Sequence, residues 1–260
     1  MGALGRRRKQ WERPMTYIRA AISAFFVTAA VVSSPVRAGD ASTLNVLGFS
    51  ADGGRFAFEE YGVQDGSGFP FANRFYIDTT ADSFIGPSPV RVRIDDETAS
   101  LAQARQQAAT SGQAIISDAE LSANHGHLAG FNAITEISAD PFRIVVNPRP
   151  VFPPIDPPLE FRLEQYPLQA SGPCEGFATV MGFRLLSVDA QPGGMTQLLH
   201  EDASVPASRG CTTGYRIAGV QTFAPGSGIS AAAVLISVQS YGFEGPDHRW
   251  MAVTLRPTQP

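Results

Sequence analysis

Apolar and polar side chains alternate along residues 44–79, which is the pattern of β-strands with one buried face. The segments "LNVLGF", "RFAFEEY" and "RFYID" carry this pattern, and Phe56 and Phe58 fall on one face of the second segment. Between the first two segments, "SADGG" supplies turn chemistry, because Asp52 can cap the turn and Gly53 tolerates a positive φ. The pattern predicts a hairpin followed by a third strand.

A helical pattern replaces the alternation in "IDDETASLAQARQQAATSG", where acidic residues occupy the predicted first turn and a run of strong helix formers follows. It predicts one surface α-helix over about residues 96–111, with Gly112 just past its end and a thin apolar face that includes Ala104 and Ala108. Between residues 113 and 140 the pattern is ambiguous and allows a strand in "AII" and a short helix in "DAELSAN".

Short apolar segments recur through the C-terminal half, separated by turn sequences such as "QPGG", "APGSG" and "EGPDH". Six prolines within residues 147–158 predict an extended connection that cannot donate to a β-ladder. The predicted fold is therefore mainly β, with propeller-like or sandwich-like antiparallel sheets and the one surface helix. We expect residues 39–260 to form a single β-rich domain, with residues 147–158 crossing its outside.

Residues 1–38 combine a basic stretch, the apolar run "AAISAFFVTAAVV" and the small-residue segment "SSPVRA". This order is typical of a Sec-type signal peptide that is cleaved here after Ala38, and the apolar run is shorter than the roughly 20 residues of a membrane span. The sequence predicts a periplasmic or secreted protein with no membrane span after cleavage. An uncleaved N-terminal anchor is the alternative, and Met15 is an alternative start.

Charge and composition exclude several partners and mechanisms for residues 39–260. These residues carry 13 basic and 23 acidic side chains, a formal net charge of −10, which argues against nucleic acid and anionic lipid as partners. They contain no lysine, which excludes Schiff-base chemistry, Ser–Lys dyads and P-loop phosphate binding. Their two cysteines, Cys174 and Cys211, are expected to form a disulfide in an oxidising compartment.

Two resemblances accompany these patterns. "FSADGGRFAF" resembles the strand–turn–strand signature of TolB-type β-propeller blades, with Ala51 in place of the usual proline, and this implies a structural turn without catalysis. The motif occurs once, whereas a propeller repeats it in every blade. From about residue 40 to 255 the chain resembles DUF2259, a bacterial family of predicted secreted proteins of unknown function. The blocks "GFSADGGRFAFEEYGVQDGSGFP" and "YGFEGPDHRWMAVT" and the Ala-rich helix carry this resemblance, which implies export but no particular activity.

Two hairpins near the ends of the chain share a plan: an apolar strand, Tyr-Gly, an acidic loop, and a strand that returns with an arginine before an aromatic residue. Their acidic, basic and aromatic side chains form the predicted binding site, which consists of Glu59, Glu60, Asp65, Arg74, Glu244, Asp247, His248, Arg249 and Trp250. Acids beside aromatic rings can bind sugars or cations, and paired carboxylates can cleave glycosides. The alternative is that the acids keep hairpin edges soluble and pair with the arginines.

Other motifs point to no metal or cofactor. His125 and His127 could share a metal on a strand, but the sequence marks no third ligand, and the segment from His200 to Asp202 fits ordinary turn residues. "GSGISA" matches a dinucleotide pattern but precedes a strand-like run rather than a helix. The predicted function is a non-enzymatic exported module that binds a small ligand or an envelope protein. The alternative is an envelope hydrolase that uses carboxylates or His248 of the two Tyr-Gly loops.

Overall fold

The regular structure of the described residues consists of thirteen strands, two α-helices and two short 3-10 helices. A computed structural model describes Gly2 and residues 39–257, except residues 177, 178, 190, 192, 243 and 244. The predicted signal peptide and Glu244 therefore lie outside the described residues. The strands form three antiparallel sheets, which confirms the prediction of a mainly β fold.

Sheet I contains the predicted N-terminal hairpin and its third strand. Its strands are β1 (Thr43–Phe49), β2 (Arg55–Val63), β3 (Pro70–Asp78), β4 (Ser83–Phe84) and β5 (Val90–Arg93). β2 lies between β1 and β3, and both β4 and β5 pair with the outer edge of β3. Asp52 Oδ1 accepts a hydrogen bond from the Gly54 N–H at 2.9 Å, and Gly53 has a φ of 70°. The predicted turn is thus present, while its relation to the blades of TolB-type β-propellers stays a prediction.

Sheets II and III come from the rest of the chain. Sheet II has the order β10-β9-β8-β7 and consists of β7 (Arg143–Val146), β8 (Leu159–Leu168), β9 (Val180–Val188) and β10 (Thr196–Glu201). Sheet III has the order β13-β12-β11-β6 and consists of β6 (His127–Phe131), β11 (Thr212–Phe223), β12 (Ala231–Tyr241) and β13 (Pro246–Leu255). β11, β12 and β13 are neighbours both in sequence and in the sheet.

Sheet III is the central layer, because both of its faces are buried. Val234 and Ile236 of β12 pack with Phe161 of sheet II, whereas Leu235 packs on the opposite face with Phe58 of sheet I. Successive side chains of a strand point to opposite faces, so a strand between two cores has no polar face. This burial explains why β12 begins with the unbroken apolar run "AAAVLI".

Two helices, α1 (Leu101–Gly112) and α2 (Asp118–Ala123), cover the outer face of sheet I. The predicted surface helix is confirmed, but it begins at Leu101 because Ser100 caps it: the Ser100 side chain accepts from the Gln103 N–H at 3.2 Å. Gly112 is the last helical residue rather than the residue past the end, and a methyl group there would overlap the Tyr76 hydroxyl. The "AII" segment is a turn, not a strand.

The proline-rich segment connects two strands of sheet II, and the disulfide links the ends of strands in sheets II and III. Residues 147–158 join β7 to β8, which pair with each other, and Arg149 and Asp156 form an ion pair of 2.6 Å within the segment. Cys174, which follows β8, forms a disulfide with Cys211, which directly precedes β11, as predicted.

Truncation of the central strand tests the two-sided burial of sheet III. Leu235→Ala removes a side chain that is 1% exposed, and we expect it to lower the free energy of unfolding by about 2–5 kcal/mol. Leu198→Ala is the matched control, because Leu198 lies in β10 and is 51% exposed, and we expect a change below about 1 kcal/mol. Urea denaturation measures both values, and equal effects of the two substitutions would contradict the proposed layer order.

Candidate functional site

An open cleft of about 700 Å³ lies where sheets I and III part beside β13. One wall comes from β3 and β5, the second from β13, and the third from the segment after β10 that contains Ser208 and Arg209. The aromatic lining residues are Phe58, Phe71, Phe75, Phe84 and Trp250. The charged lining residues are Glu60, Arg91, Arg93, Asp95, Arg209 and Arg249. Of the predicted site residues that the structure describes, Glu60, Arg249 and Trp250 are among these lining residues.

Glu60 joins the two sheets at the inner end of the cleft. Its carboxylate is buried and accepts the Trp250 backbone N–H at 2.9 Å and the Asn73 side-chain N–H at 2.9 Å. The Ser42 hydroxyl donates a third, longer bond of 3.3 Å. β13 is an edge strand, so its outward N–H groups lack a neighbouring strand, and the carboxylate of Glu60 supplies the missing acceptor.

Further acceptors along β13 repeat this arrangement. Asp82 Oδ1 accepts the Thr254 backbone N–H at 2.7 Å, and the Asp40 carbonyl accepts the His248 backbone N–H at 2.8 Å. Arg249 also pairs with the Asp40 carboxylate at 2.7 Å. The outward N–H groups of His248, Trp250 and Thr254 are therefore satisfied by sheet I and by the segment before β1, without a paired strand along the whole edge.

Glu59 lies on the other face of sheet I, although it is adjacent to Glu60 in sequence. It is buried beneath α1, where Arg105 Nη2 contacts its Oε2 at 2.8 Å and Arg74 Nε lies 3.7 Å from its Oε1. Arg74 Nη1 in turn binds Asp118 of α2 at 2.6 Å. Burial alone would lower the pKa of Arg74, but its contact with Asp118 raises it, so the guanidinium stays charged. Glu59 and Arg74 thus hold the helices on sheet I and do not face the cleft.

The other predicted residues are dispersed. Asp65 is exposed at the tip of the β2–β3 hairpin, where its Oδ1 accepts the Gly66 N–H at 2.9 Å. Asp247 Oδ1 accepts the Asp40 backbone N–H at 3.0 Å. Glu244 lies outside the described residues. Of the acids of the two hairpins that the structure describes, Glu60 alone lines the cleft.

His248 borders a second, smaller pocket of about 250 Å³. Its Nδ1 lies 3.5 Å from Ser237 Oγ, and Arg216 contributes to the same pocket. Burial lowers the pKa of His248 and the positive charge of Arg216 lowers it further, while Asp247 opposes both. The imidazole is consequently neutral at pH 7.

The motif with two histidines does not form a metal site within the described chain. His125 Nε2 lies 3.1 Å from the Val46 carbonyl oxygen, and Gly126 takes a positive φ of 78°. No group of three or more histidine, cysteine, aspartate or glutamate side chains suited to a metal ion occurs among the described residues.

Asp202 holds the third wall of the cleft in place through Arg209. The sequence analysis assigned ordinary turn residues to this segment and did not predict this contact. Both carboxylate oxygens accept from Arg209 Nη1, at 2.8 and 2.7 Å, and His200 Nε2 lies 3.0 Å from Oδ1. Burial by itself raises the pKa of Asp202, but these hydrogen bonds and the charge of Arg209 hold it below its ordinary value. Arg209 is thereby fixed at the border of the cleft.

Besides Arg209, two arginines of β5 line the cleft without having been part of the predicted site, and these are Arg91 and Arg93. They lie opposite Asn73 and Phe71 in the β3–β5 pairing, and opposite residues of paired strands project to one face. The Arg91 guanidinium lies 5.9 Å from the centre of the Phe75 ring. The alternation in "VRVR" was the available signal, because period 2 places both arginines on one face.

Fold and cleft define this protein as a layered β protein, with two helices outside three stacked antiparallel sheets and an open cleft between two of them. Residues 57–256 match the family of predicted secreted proteins designated DUF2259, and the chain belongs to that family. No curated protein and no solved structure matches the chain. The described residues include no helix with the length and apolar character of a membrane span.

Removal of the Glu60 carboxylate tests its role between the sheets. Glu60→Ala leaves the buried Trp250 N–H and the Asn73 amide without their acceptor, and we expect a loss of about 2–4 kcal/mol in the free energy of unfolding. Glu60→Gln keeps one acceptor oxygen, and we expect an intermediate loss. Glu97→Ala, which truncates an exposed acid, is the control with an expected change below about 0.5 kcal/mol. Denaturation with urea distinguishes these outcomes, and a Glu60→Ala protein as stable as the control would refute the role.

The lowered pKa of Asp202 predicts a pH-dependent contribution to stability. A carboxyl group whose pKa is depressed by folding stabilises fully above its unfolded pKa of about 3.9, and this contribution is lost as the pH falls through the folded pKa. We therefore expect Asp202→Asn to cost about 1–3 kcal/mol at pH 7, with the difference from wild type shrinking below about pH 4. Asp65→Asn changes an exposed acid and serves as the control at pH 7. A difference for Asp202→Asn that is the same at pH 7 and pH 3 would exclude this linkage.

Proposed function

We propose that this protein is exported, is processed after Ala38, and binds a small ligand in the cleft between sheets I and III without chemical conversion. The description of its family as predicted secreted and the leader-like pattern of residues 1–38 support export to the periplasm or the exterior. The cleft itself is the observation that carries the binding proposal, because its volume of about 700 Å³ lies within the usual range of ligand sites.

The aromatic floor of the cleft supports an apolar contact surface for the ligand. The Phe58 and Phe75 rings stack with centroids 4.5 Å apart, and the Phe84 ring lies 6.1 Å beyond Phe75. Phe84 remains 56% exposed although its neighbours belong to the core. A ligand that covers this ring would bury apolar surface, which contributes about 25 cal/mol per Å².

The state of the carboxylates favours binding over hydrolysis. Glycoside cleavage needs one carboxyl group as acid and a second as base or nucleophile. Glu60 already accepts hydrogen bonds from Trp250 and Asn73, and Asp95 pairs with Arg93 at 2.7 Å. The described lining therefore offers no pair of carboxyl groups suited to that chemistry, and no observation favours the hydrolase alternative.

An uncharged fluorescent probe tests the proposed function. We expect N-phenyl-1-naphthylamine to bind the protein with saturable fluorescence enhancement, and Phe84→Ala to lower its affinity by about 3–10-fold through lost apolar contact. Phe152→Ala is the matched control, since Phe152 is 96% exposed in the proline-rich segment, and its effect should stay within about twofold. Equal effects of the two substitutions, or no saturable binding, would count against a ligand site in the cleft.

A further inference from the structure

We infer that the cleft selects an amphipathic organic anion, with its acidic group on Arg91 and its apolar body on the Phe75 and Phe84 rings. This inference rests on the proposed function and specifies the class of ligand. The acidic group can be a carboxylate, sulfonate or phosphate, because all three present oxygen acceptors to a guanidinium.

The charge balance of the cleft is the first observation behind this inference. Three of the four lining arginines already have an acidic partner. These ion pairs are Arg93–Asp95 at 2.7 Å, Arg209–Asp202 at 2.7 Å and Arg249–Asp40 at 2.7 Å. Arg91 has no carboxylate within ion-pair distance among the described residues. A positive charge without a counter-charge thus remains at the opening of the cleft.

The placement of Arg91 is the second observation. Its guanidinium carbon lies 5.9 Å from the centroid of the Phe75 ring, which fits a cation–π contact. The side chain is exposed, so its N–H donors remain accessible to a ligand. Phe84 lies opposite Ile77 in the β3–β4 pairing, and its ring centroid is 6.1 Å from that of Phe75. One surface therefore presents an available cation beside a partly exposed aromatic ring, which matches a molecule with an acidic group and an apolar body.

The acidic residues of the cleft disfavour a cationic ligand. A cation would need an acid without a partner, but Glu60 and Asp95 already accept hydrogen bonds from the protein. Residues 39–260 carry a formal net charge of −10, so a local positive charge is an exception on this protein rather than a reflection of its overall composition.

Two probes that differ by one acidic group test this inference. 1-Anilinonaphthalene-8-sulfonate is N-phenyl-1-naphthylamine with an added sulfonate, so the pair separates charge from apolar contact. We expect wild type to bind the sulfonate probe more tightly than the neutral probe. Arg91→Gln should lower the affinity for the sulfonate by about 3–10-fold and leave the affinity for the neutral probe within about twofold. Arg184→Gln, which removes an exposed arginine from sheet II, should change neither affinity.

The outcomes separate this inference from the proposed function. Equal losses for both probes in Arg91→Gln, or a sulfonate affinity that the substitution leaves unchanged, would overturn the assignment of an anion to Arg91. Neutral-probe binding that still depends on Phe84 would in that case keep the proposed function intact. Loss of the Phe84 dependence for both probes would overturn both proposals. A loss of affinity for the sulfonate probe alone in Arg91→Gln, with no such loss in Arg184→Gln, supports the inference. Added salt should lower the affinity for the sulfonate probe and not for the neutral probe.

Discussion

The burial of sheet III on both faces is the constraint on which the other layers depend. The strand β12 has no solvent-exposed polar face, because Val234 and Ile236 pack in the core on one side of the sheet and Leu235 packs in the core on the other side. Neither sheet I nor sheet II could cover both sides, so the two sheets occupy opposite faces. The helices then cover the remaining face of sheet I, where Ala104 and Ala108 allow close approach to Ala72.

The edge of this central sheet links architecture to the candidate site. β13 has no neighbouring strand along its outer edge within the described residues, and carboxylates from Glu60 and Asp82 accept its outward N–H groups instead. Side chains can reach across where two sheets diverge, whereas a paired strand would close the gap. The cleft beside β13 therefore follows from the use of side-chain carboxylates, rather than a paired strand, as acceptors for the N–H groups of this edge. The Asp202–Arg209 pair completes it by fixing the third wall.

Charge in the cleft is arranged differently from charge on the rest of the protein. Acids outnumber bases over residues 39–260, yet four arginines line the cleft, and within the described part of the chain three of them have an acidic partner and one does not. Paired arginines hold walls in place, while Arg91 remains available beside Phe75. The proposed ligand selection therefore depends on an arginine without an acidic partner among the described residues, whereas the walls of the cleft are held by arginines that have one.

Local pattern determined the β class, the Asp52 turn, the existence of α1 and the pairing of Cys174 with Cys211, because each depends on periodicity, turn chemistry or an inventory of two cysteines. Which of the predicted residues line the cleft depends on the tertiary structure alone. Glu59 and Glu60 are adjacent, but one binds Arg105 beneath α1 and the other accepts the N–H of Trp250, 190 residues away. The two-residue repeat of a β-strand predicts that neighbouring side chains point to opposite faces. Which residues contact each face depends on the packing of segments that are distant in sequence.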